Sequence, residues 1–141
     1  MEILQVNKIR TKEELESAFA VRRKVFVEEQ GVPAELELEN EDVSVHFLAL
    51  LDNQPCGACR YRKTDKGYKL ERFAVLKEFR NKRVGLAMVA AVLDDIPDDD
   101  QPIYLNAQSD AVGLYTKFGF AIEGEQFEEA GIQHFKMVKQ V

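Results

Sequence analysis

Three strand-like runs in the middle of the chain, separated by two short turns, limit the fold more than any other feature of the sequence. They are Val43–Leu51, Cys56–Arg62 and Tyr68–Leu76. The turns are Asp52-Asn53-Gln54-Pro55 and Asp65-Lys66-Gly67, and both are rich in residues that tight turns favour. Strands joined so closely pair in antiparallel order. The sequence therefore predicts an antiparallel meander at the centre of the fold.

Helical patterns and further short strands surround this meander. Thr11 and Glu14 form a capping box, in which each side chain satisfies an early backbone amide of the helix. Apolar residues at helical spacing follow, and Gly31 is a stop signal just beyond Gln30. Residues 33–42 are expected to form a loop. The other predicted elements are helices at Val84–Leu93 and Asp110–Phe118, and strands at Glu2–Val6, Ile103–Leu105, Phe120–Glu125 and Gln133–Val138.

The order of these elements predicts the fold class. Strands alternate with helices only in part, which is typical of an α/β fold of the mixed, α+β kind. We expect a mostly antiparallel, mixed central sheet flanked by helices. The sequence has no internal repeat, low-complexity tract or flexible linker. Residues 1–141 are therefore predicted to form a single domain, which is long enough to bury its own core.

Composition disfavours several classes of function. Charged residues make up 31% of the chain and its net charge is −6, which argues against a nucleic-acid partner. No apolar run has the length of a membrane-spanning helix, so we expect no membrane partner. The first residues lack the basic and apolar parts of a signal peptide. These features together predict a cytoplasmic protein.

Cys56 and Cys59 form a lone C-x-x-C pair. A structural zinc site needs four ligands, and only His46 and His134 remain to complete one, so no metal site is predicted. The pair follows a turn and enters a strand, whereas a redox pair normally opens a helix. On a regular strand the two side chains would point to opposite faces. We expect both to be small packing residues, with thiol chemistry as the alternative.

The segment 71–87 runs from a strand through a short basic loop into a helix. Its loop carries four basic residues in an otherwise acidic chain, namely Lys77, Arg80, Lys82 and Arg83. A helix N-terminus offers unpaired amides and the positive end of the helix dipole, which suit a pyrophosphate group. Gly85 removes a side chain where a ligand would approach most closely. A solvated basic loop without any ligand explains the same composition equally well.

This segment resembles the acetyl-CoA signature of the GNAT superfamily, which is Arg or Gln, two residues, Gly, one residue, then Gly or Ala. Arg80 occupies the first position, Arg83 replaces the first Gly, and Gly85 is the second.

A later segment, 108–120, is similar to the family motif Asn-x-x-Ala-x-x-Leu-Tyr-x-x-x-Gly-Phe, with Gln108 in place of Asn. Further segments resemble a bacterial group described as YjcF-like or ElaA-like. They are Arg23–Gln30, Glu71–Val75, Asn106–Gln108 and Gly131–His134.

The resemblance implies a GNAT-type fold with acetyl-CoA as the co-substrate. The backbone of residues 73–75 would pair with the pantetheine arm, much as a strand edge pairs with a peptide. Family members splay the fourth and fifth strands apart, so residues 105–107 would line the opposite wall. The implied contact residues are Phe73, Ala74, Val75, Arg80, Asn81, Lys82, Arg83, Val84, Gly85, Leu86, Asn106, Gln108 and Tyr115.

The implied reaction is direct attack of a neutral amine on the thioester, which needs a base to remove a proton. Glu71 is the first candidate because regular alternation places it on the same strand face as Phe73 and Val75. An ordinary ion pair between Glu71 and a nearby arginine is the alternative. His46 and His134 are further candidates, although a strand histidine is more often structural.

Tyr115 matches the tyrosine that protonates the departing thiolate in the family. Its helical position also suits a packed core tyrosine with a satisfied hydroxyl, and both interpretations stay open. The acidic residues from Glu35 to Asp42 either attract a cationic amine or form a solvated loop.

Two functions follow from these observations. The first is an acetyl-CoA-dependent N-acetyltransferase whose acceptor is the primary amine of a small molecule or a protein. The second is a non-catalytic acyl-CoA-binding sensor or interaction module, suggested by Arg83 at the position of the signature Gly. A third, acyl transfer through a Cys59 acyl-enzyme, is weaker. Exposed strand edges would also favour a homodimer.

Overall fold

The computed structural model describes residues 2–140. The strands are β1 (Leu4–Lys8), β2 (Ser44–Leu51), β3 (Gln54–Thr64), β4 (Gly67–Val75), β5 (Ile103–Gln108), β6 (Phe120–Ile122), β7 (Phe127–Glu129) and β8 (Ile132–Lys139). The helices are α1 (Lys12–Arg22), α2 (Ala34–Glu37), α3 (Val84–Asp95) and α4 (Val112–Thr116). A π-helix, Arg23–Glu29, continues α1, and 3₁₀ turns occupy Glu41–Val43, Lys77–Phe79 and Ser109–Ala111.

The strands among residues 2–140 form one sheet in the order β1-β2-β3-β4-β5-β8-β6, with β7 also paired to β8. The predicted meander is confirmed, because β2, β3 and β4 pair in antiparallel order. The pair β4–β5 is parallel, and α3 makes the crossover between them. The fold is therefore the mixed, mostly antiparallel α/β sheet that the sequence predicts, with helices on both faces.

The strands β4 and β5 separate soon after they begin to pair. Their register runs only from Tyr68 opposite Ile103 to Leu70 opposite Leu105. Beyond Leu70, β4 continues to Val75 alongside β3, whereas β5 stays paired with β8 as far as Gln108. The two strands thus leave a wedge-shaped opening at the centre of the sheet.

A β-bulge interrupts β4 beside this opening. Arg60 lies opposite Glu71 and Ala58 lies opposite Ala74, so a single residue of β3 faces two residues of β4. Arg72 takes up the extra length in a left-handed conformation, with φ of 57°. The bulge reverses the alternation of side chains along the rest of the strand.

This reversal corrects one expectation from the sequence. Phe73 and Val75 pack with the apolar cluster under α3 and α4, whereas Ala74 packs with the cluster under α1. Glu71 lies on the α1 face, where it contacts Arg60. The prediction that Glu71 shares a strand face with Phe73 and Val75 is therefore wrong, because regular alternation does not cross a bulge.

Close packing at Gly57 fixes the position of α3 on the sheet. A Cβ atom at this position would lie 2.9 Å from Cγ1 of Val84 and 3.2 Å from Sδ of Met88. The absence of a side chain on β3 lets the first turn of α3 rest directly on the strand. The start of α3 is thereby held beside the end of β4.

The element boundaries differ from the predicted ones at several points. β1 runs from Leu4 to Lys8 rather than from Glu2 to Val6, β3 begins at Gln54 inside the predicted turn, and α4 covers only Val112–Thr116 of the predicted helix 110–118. The long first helix ends as a π-helix, in which the amide of Gln30 donates to the carbonyl of Val25 at 3.0 Å. The predicted loop at residues 33–42 contains α2 and a 3₁₀ turn. The last hairpin turns at Ala130–Gly131 as expected, but its first strand is β7, and β6 pairs separately with β8. No helix among residues 2–140 is long and apolar enough to span a bilayer.

Candidate active site

The wedge between β4 and β5 opens into a cavity of about 290 Å³. One wall is the bulged part of β4, with Glu71, Arg72 and Phe73, and the opposite wall is the end of β5. Phe26 of the π-helix and Gln30, its C-cap, also line the cavity. Further lining residues come from α2, from α4 and from the β7–β8 hairpin; among them are Leu36, Glu39, Tyr115, Glu129, Ile132 and His134.

Tyr115 projects from α4 into this cavity. Its ring meets Phe73 edge to face at 5.8 Å and Phe120 at 6.1 Å, and its residue is 5% exposed. Within residues 2–140, every fully buried side-chain oxygen has a hydrogen-bond partner. The Tyr115 hydroxyl has none among these residues, so it is not fully buried, and we infer that it is accessible from the cavity that Tyr115 lines. Burial raises the pKa of Tyr115, so the phenol remains protonated across the neutral range.

A second depression surrounds the start of α3. Several predicted cofactor-contact residues line it, namely Arg80, Asn81, Arg83, Val84, Gly85 and Leu86. Asn81 and Arg83 both adopt left-handed backbone conformations, with φ of 65° and 66°. Arg83 is the N-cap of α3 and makes no side-chain cap, so the first amides of the helix have no capping partner among the described residues. Unpartnered backbone N–H groups at a helix start are the kind of groups that bind anions.

The basic side chains near this depression have different surroundings. Arg80 donates from Nε to the carbonyl of Val75 at 3.1 Å and forms a bidentate ion pair with Glu29 at 2.7 and 2.8 Å. Lys82 pairs with Glu2 at 3.1 Å and lies outside the lining of the depression. Lys117 lines it instead. Sequence reasoning missed Lys117, which is brought there by the packing of α4 on α3 and has no spacing signal of its own.

The absence of a side chain at Gly85 serves a contact within the protein. A Cβ atom there would lie 3.2 Å from Cδ2 of Leu114, on α4. The space predicted to admit a ligand at Gly85 is therefore bordered by the Leu114 side chain of α4. Gly85 therefore lets α4 approach α3 closely, which places Tyr115 and Lys117 beside the cavity and the depression.

Glu71 is the centre of a buried cluster of charges. Its carboxylate lies 3.0 Å from Nη2 of Arg60, 2.7 Å from Nε of Arg62 and 3.2 Å from Nζ of Lys69. Burial alone would raise the pKa of Glu71, but the hydrogen bond from Arg62 and the nearby cations outweigh it and lower the pKa to about 2. Such a carboxylate holds a proton weakly. These contacts match the ion-pair alternative rather than a general base.

The acidic segment before β2 completes this cluster. Arg22, which is 1% exposed, donates to Glu37 at 2.7 Å and to Glu41 at 2.8 Å. Glu41 also pairs with Arg60, which is fully buried. Glu37 and Glu41, which the sequence predicted to lie in a solvated loop or to attract an amine, thus form structural ion pairs. Arg22 on the buried side of the first helix is the sequence feature that indicates such a partner.

The two histidines lie in different surroundings. Nε2 of His46 lies 2.9 Å from the carbonyl of Glu41, and His46 is absent from the cavity lining. Burial lowers the pKa of His46, which is a structural residue. His134 lines the cavity and stacks on Phe127 at 5.8 Å. Its Nδ1 lies 2.7 Å from the carbonyl of Ile132, so a neutral ring donates from Nδ1 and leaves a lone pair on Nε2.

The polar residues at the end of β5 face the cavity as expected. Nδ2 of Asn106 lies 3.4 Å from Oε2 of Glu129. Gln108 forms a reciprocal pair with Gln30, in which each amide donates to the other at 2.9 and 3.2 Å. Both residues line the cavity. The structure therefore brings four predicted residues together around one cavity: Asn106, Gln108, Phe73 and Tyr115.

Cys56 and Cys59 are buried, free thiols. Both pack in the cluster under α3, so the expectation of opposite faces is wrong, because a register shift between β2 and β3 interrupts the alternation. Burial raises the pKa of Cys56 to about 11 and also raises that of Cys59. Neither thiol has the ionised, accessible sulfur that an acyl-enzyme requires, and the packing role is confirmed.

Comparison with known proteins agrees with this architecture. Residues 8–141 match the acetyltransferase (GNAT) domain. The chain is 41% identical over 133 residues to "Uncharacterized N-acetyltransferase YjcF" of Bacillus subtilis, covering 92% of this chain and 95% of the relative. It is 28% identical over 136 residues to protein ElaA of Escherichia coli, covering 91% of this chain and 88% of the relative.

Solved structures show the same fold. Escherichia coli ElaA superposes with a TM-score of 0.84 at 25% identity, over 99% of this chain and all of ElaA. The PaiA N-acetyltransferase of Thermoplasma acidophilum, solved in complex with coenzyme A, has a TM-score of 0.74 at 18% identity, over 99% of each chain. The domain match and the relative in Bacillus subtilis together establish that this chain belongs to the GNAT family of acetyltransferases and is an acyltransferase.

Proposed function

We propose that the protein transfers an acetyl group from acetyl-CoA to a primary amine by direct attack. The divergence of β4 from β5 is the observation that supports this most strongly. It leaves the edge of residues 71–75 without a strand partner on the β5 side, and this edge leads from the start of α3 to Tyr115. A long, thin cofactor with a phosphate at one end and a thioester further along fits such a path.

The depression at α3 is proposed to hold the pyrophosphate. The early amides of α3 and the charges of Arg83 and Lys117 would bind it, together with the backbone of Asn81, Val84, Gly85 and Leu86. Arg80 retains two N–H groups after its contacts with Val75 and Glu29. Lys82 is excluded from the proposed set because it pairs with Glu2 away from the depression.

The backbone of Phe73, Ala74 and Val75 is proposed to pair with the pantetheine arm, with Asn106 and Gln108 on the opposite wall. One amide of this strand would donate to the thioester oxygen as negative charge develops there. The amine nitrogen forms a bond to the carbonyl carbon, the carbon–sulfur bond breaks, and the sulfur leaves as a thiolate. Tyr115, protonated and open to the cavity, would donate the proton that converts this thiolate to a thiol. The nitrogen carries one proton too many after the attack, and its release would restore the Tyr115 phenol and leave a neutral amide.

The acceptor must lose a proton before it attacks. We assign this step to His134, whose Nε2 lone pair is left free by the contact between Nδ1 and Ile132. Its position in the cavity lining places it on the same side as the β5 wall. The surrounding cations stabilise the ionised form of Glu71 and make it a weak base. Glu71 is accordingly proposed to support the cavity wall, and His134 to act in its place.

The structure weakens the argument for a non-catalytic binding module. That idea rested on Arg83 at the position of the signature Gly. Arg83 adopts the left-handed conformation that glycine tolerates best, so the larger residue does not prevent this backbone at the start of α3. In the proposed site it adds a cation beside the unpartnered amides.

The test combines binding with turnover. Calorimetric titration should show micromolar binding of acetyl-CoA and weaker binding of 3′-dephospho-CoA, and an amine screen should show release of free thiol. Gly85→Glu should abolish binding, since it adds bulk against Leu114 and a negative charge to the depression. Gly113→Glu is the matched control, because a side chain at this exposed site on α4 meets no atom within 4 Å. Failure of the wild-type protein to bind acetyl-CoA would refute the proposal.

A further inference from the structure

The C-terminal end of the π-helix contacts both walls of the wedge through two consecutive residues. Glu29 binds Arg80 with two short hydrogen bonds, and Arg80 in turn binds the carbonyl of Val75 at the end of β4. Gln30 forms the reciprocal amide pair with Gln108 at the end of β5. One side of this helix end is therefore tied to β4, and the other side is tied to β5.

Direct hydrogen bonds do not fix the separation of the walls at this depth. The ladder between β4 and β5 ends at Leu70 and Leu105, five residues before Val75 and three before Gln108. Among residues 2–140, no side-chain hydrogen bond joins residues 71–75 directly to residues 106–108. On the α4 face the walls are joined by apolar packing around Tyr115, and on the α1 face they are joined by the residues at the end of the π-helix.

The conformation of the helix end suits this bridging role. Glu29 is the last residue of the π-helix and Gln30 is its C-cap, so the two side chains leave the chain where the helix ends. They reach different partners: Glu29 reaches Arg80 on the β4 side, and Gln30 reaches Gln108 on β5. The amide of Val32 then returns to the carbonyl of Phe26 at 2.8 Å, and Gly31, with φ of 75°, ends the segment. The bridge is thus anchored to a buried part of the fold.

We propose that Glu29 and Gln30 are positioning residues that set the width of the wedge for acyl transfer, a role that rests on the proposed acetyltransferase function. The hydrogen bonds between Gln30 and Gln108 hold the β5 wall at the distance that brings an acceptor to the thioester. The ion pair between Glu29 and Arg80 fixes the end of β4 and the loop before α3 relative to the same helix end. Neither residue exchanges a proton with the substrates.

The first test replaces the amide pair. Gln30→Met keeps the length of the side chain and removes both hydrogen bonds, whereas Gln30→Glu keeps the bond donated by Gln108. A displaced wall should lower kcat about tenfold in Gln30→Met, with a smaller loss in Gln30→Glu and little change in KM for acetyl-CoA. Wild-type kcat in Gln30→Met would overturn the proposal.

The second test does not depend on turnover. Hydrogen exchange followed by mass spectrometry should show faster exchange at residues 71–76 and 105–111 in Gln30→Met and in Glu29→Gln, with the β2–β3 ladder unchanged. Glu2→Gln is the control, because it removes the partner of Lys82 on the same basic loop without affecting the bridge. Unchanged exchange at both walls would refute the positioning role even in a protein that fails to transfer acetyl groups. An absence of transfer with faster exchange would refute only the acetyltransferase assignment.

Discussion

Tyr115 and Phe73 meet edge to face between α4 and β4, with their ring centroids 5.8 Å apart and their planes at 84°. This contact fixes the tyrosine ring while its hydroxyl stays open to the cavity. The packing of the side chain and its proposed proton donation reside in different atoms. They are therefore separable by a substitution that removes only the oxygen.

Tyr115→Phe should retain the packing and lose the proton donor. We expect kcat to fall roughly 100-fold, the typical contribution of a positioned acid, while the dissociation constant for acetyl-CoA changes little. Steady-state kinetics and calorimetry on the same preparation measure the two quantities. Equal kcat in the two proteins would show that another group, or water, protonates the thiolate.

His134→Gln tests the proposed base. Glutamine cannot accept a proton at neutral pH, so kcat should fall roughly 100-fold while the dissociation constant for acetyl-CoA changes little. Glu71→Gln is the comparison, and its folded fraction should retain most of the wild-type kcat. Near-wild-type kcat in His134→Gln together with a large loss in the folded fraction of Glu71→Gln would reverse the assignment.

The ion pairs of Glu71 predict a loss of stability in acid. Its pKa is lowered from 4.5 to about 2 in the folded protein, so its contribution is fully present above 4.5 and is lost as the pH falls toward 2. The contribution is on the order of 3 kcal/mol at neutral pH. Urea unfolding of wild type and Glu71→Gln should therefore differ most near pH 6 and converge near pH 2. A difference that is independent of pH would contradict the shifted pKa.

Arg83→Gly should affect stability and binding in opposite directions. A left-handed conformation costs a residue with a side chain about 1 kcal/mol, which glycine avoids, so the melting temperature should rise. Loss of the cation should weaken acetyl-CoA binding and reduce its dependence on salt. Arg83→Lys keeps both the charge and the strain, and should resemble wild type in the melting temperature and in the salt dependence. Unchanged affinity in Arg83→Gly would remove Arg83 from the proposed phosphate site.

Much of the fold could be predicted from the sequence, because local signals specify it. The turns around Asn53 and Lys66 set the meander, and the capping box at Thr11 is present, with Oγ1 of Thr11 accepting from the amide of Glu14 at 3.2 Å. The two family motifs lie where the cavity and the depression meet. These features depend on residues that are close in sequence.

The errors arose where two distant segments decide the outcome together. The bulge at Arg72 exists because β3 and β4 contribute unequal numbers of residues between two paired positions, and neither strand alone reveals this. The face of Glu71 was mispredicted for this reason. The role of Glu41 depends on Arg22 and Arg60, which lie in separate elements. Lys117 and the bridge at Gln30 likewise become visible only after the elements have packed.

The position of β8 in the sheet has a consequence for how the chain folds. Strands β2, β3 and β4 can pair early through two neighbouring hairpins, whereas β5 pairs over only three positions with β4 and over five with β8. Since β8 is synthesised after β5, β6 and β7, the edge of β5 is exposed until it arrives. We therefore expect folding in two kinetic phases, a rapid one for the meander and a slower one that completes the acceptor side. The interval between them is when this chain is most exposed to aggregation.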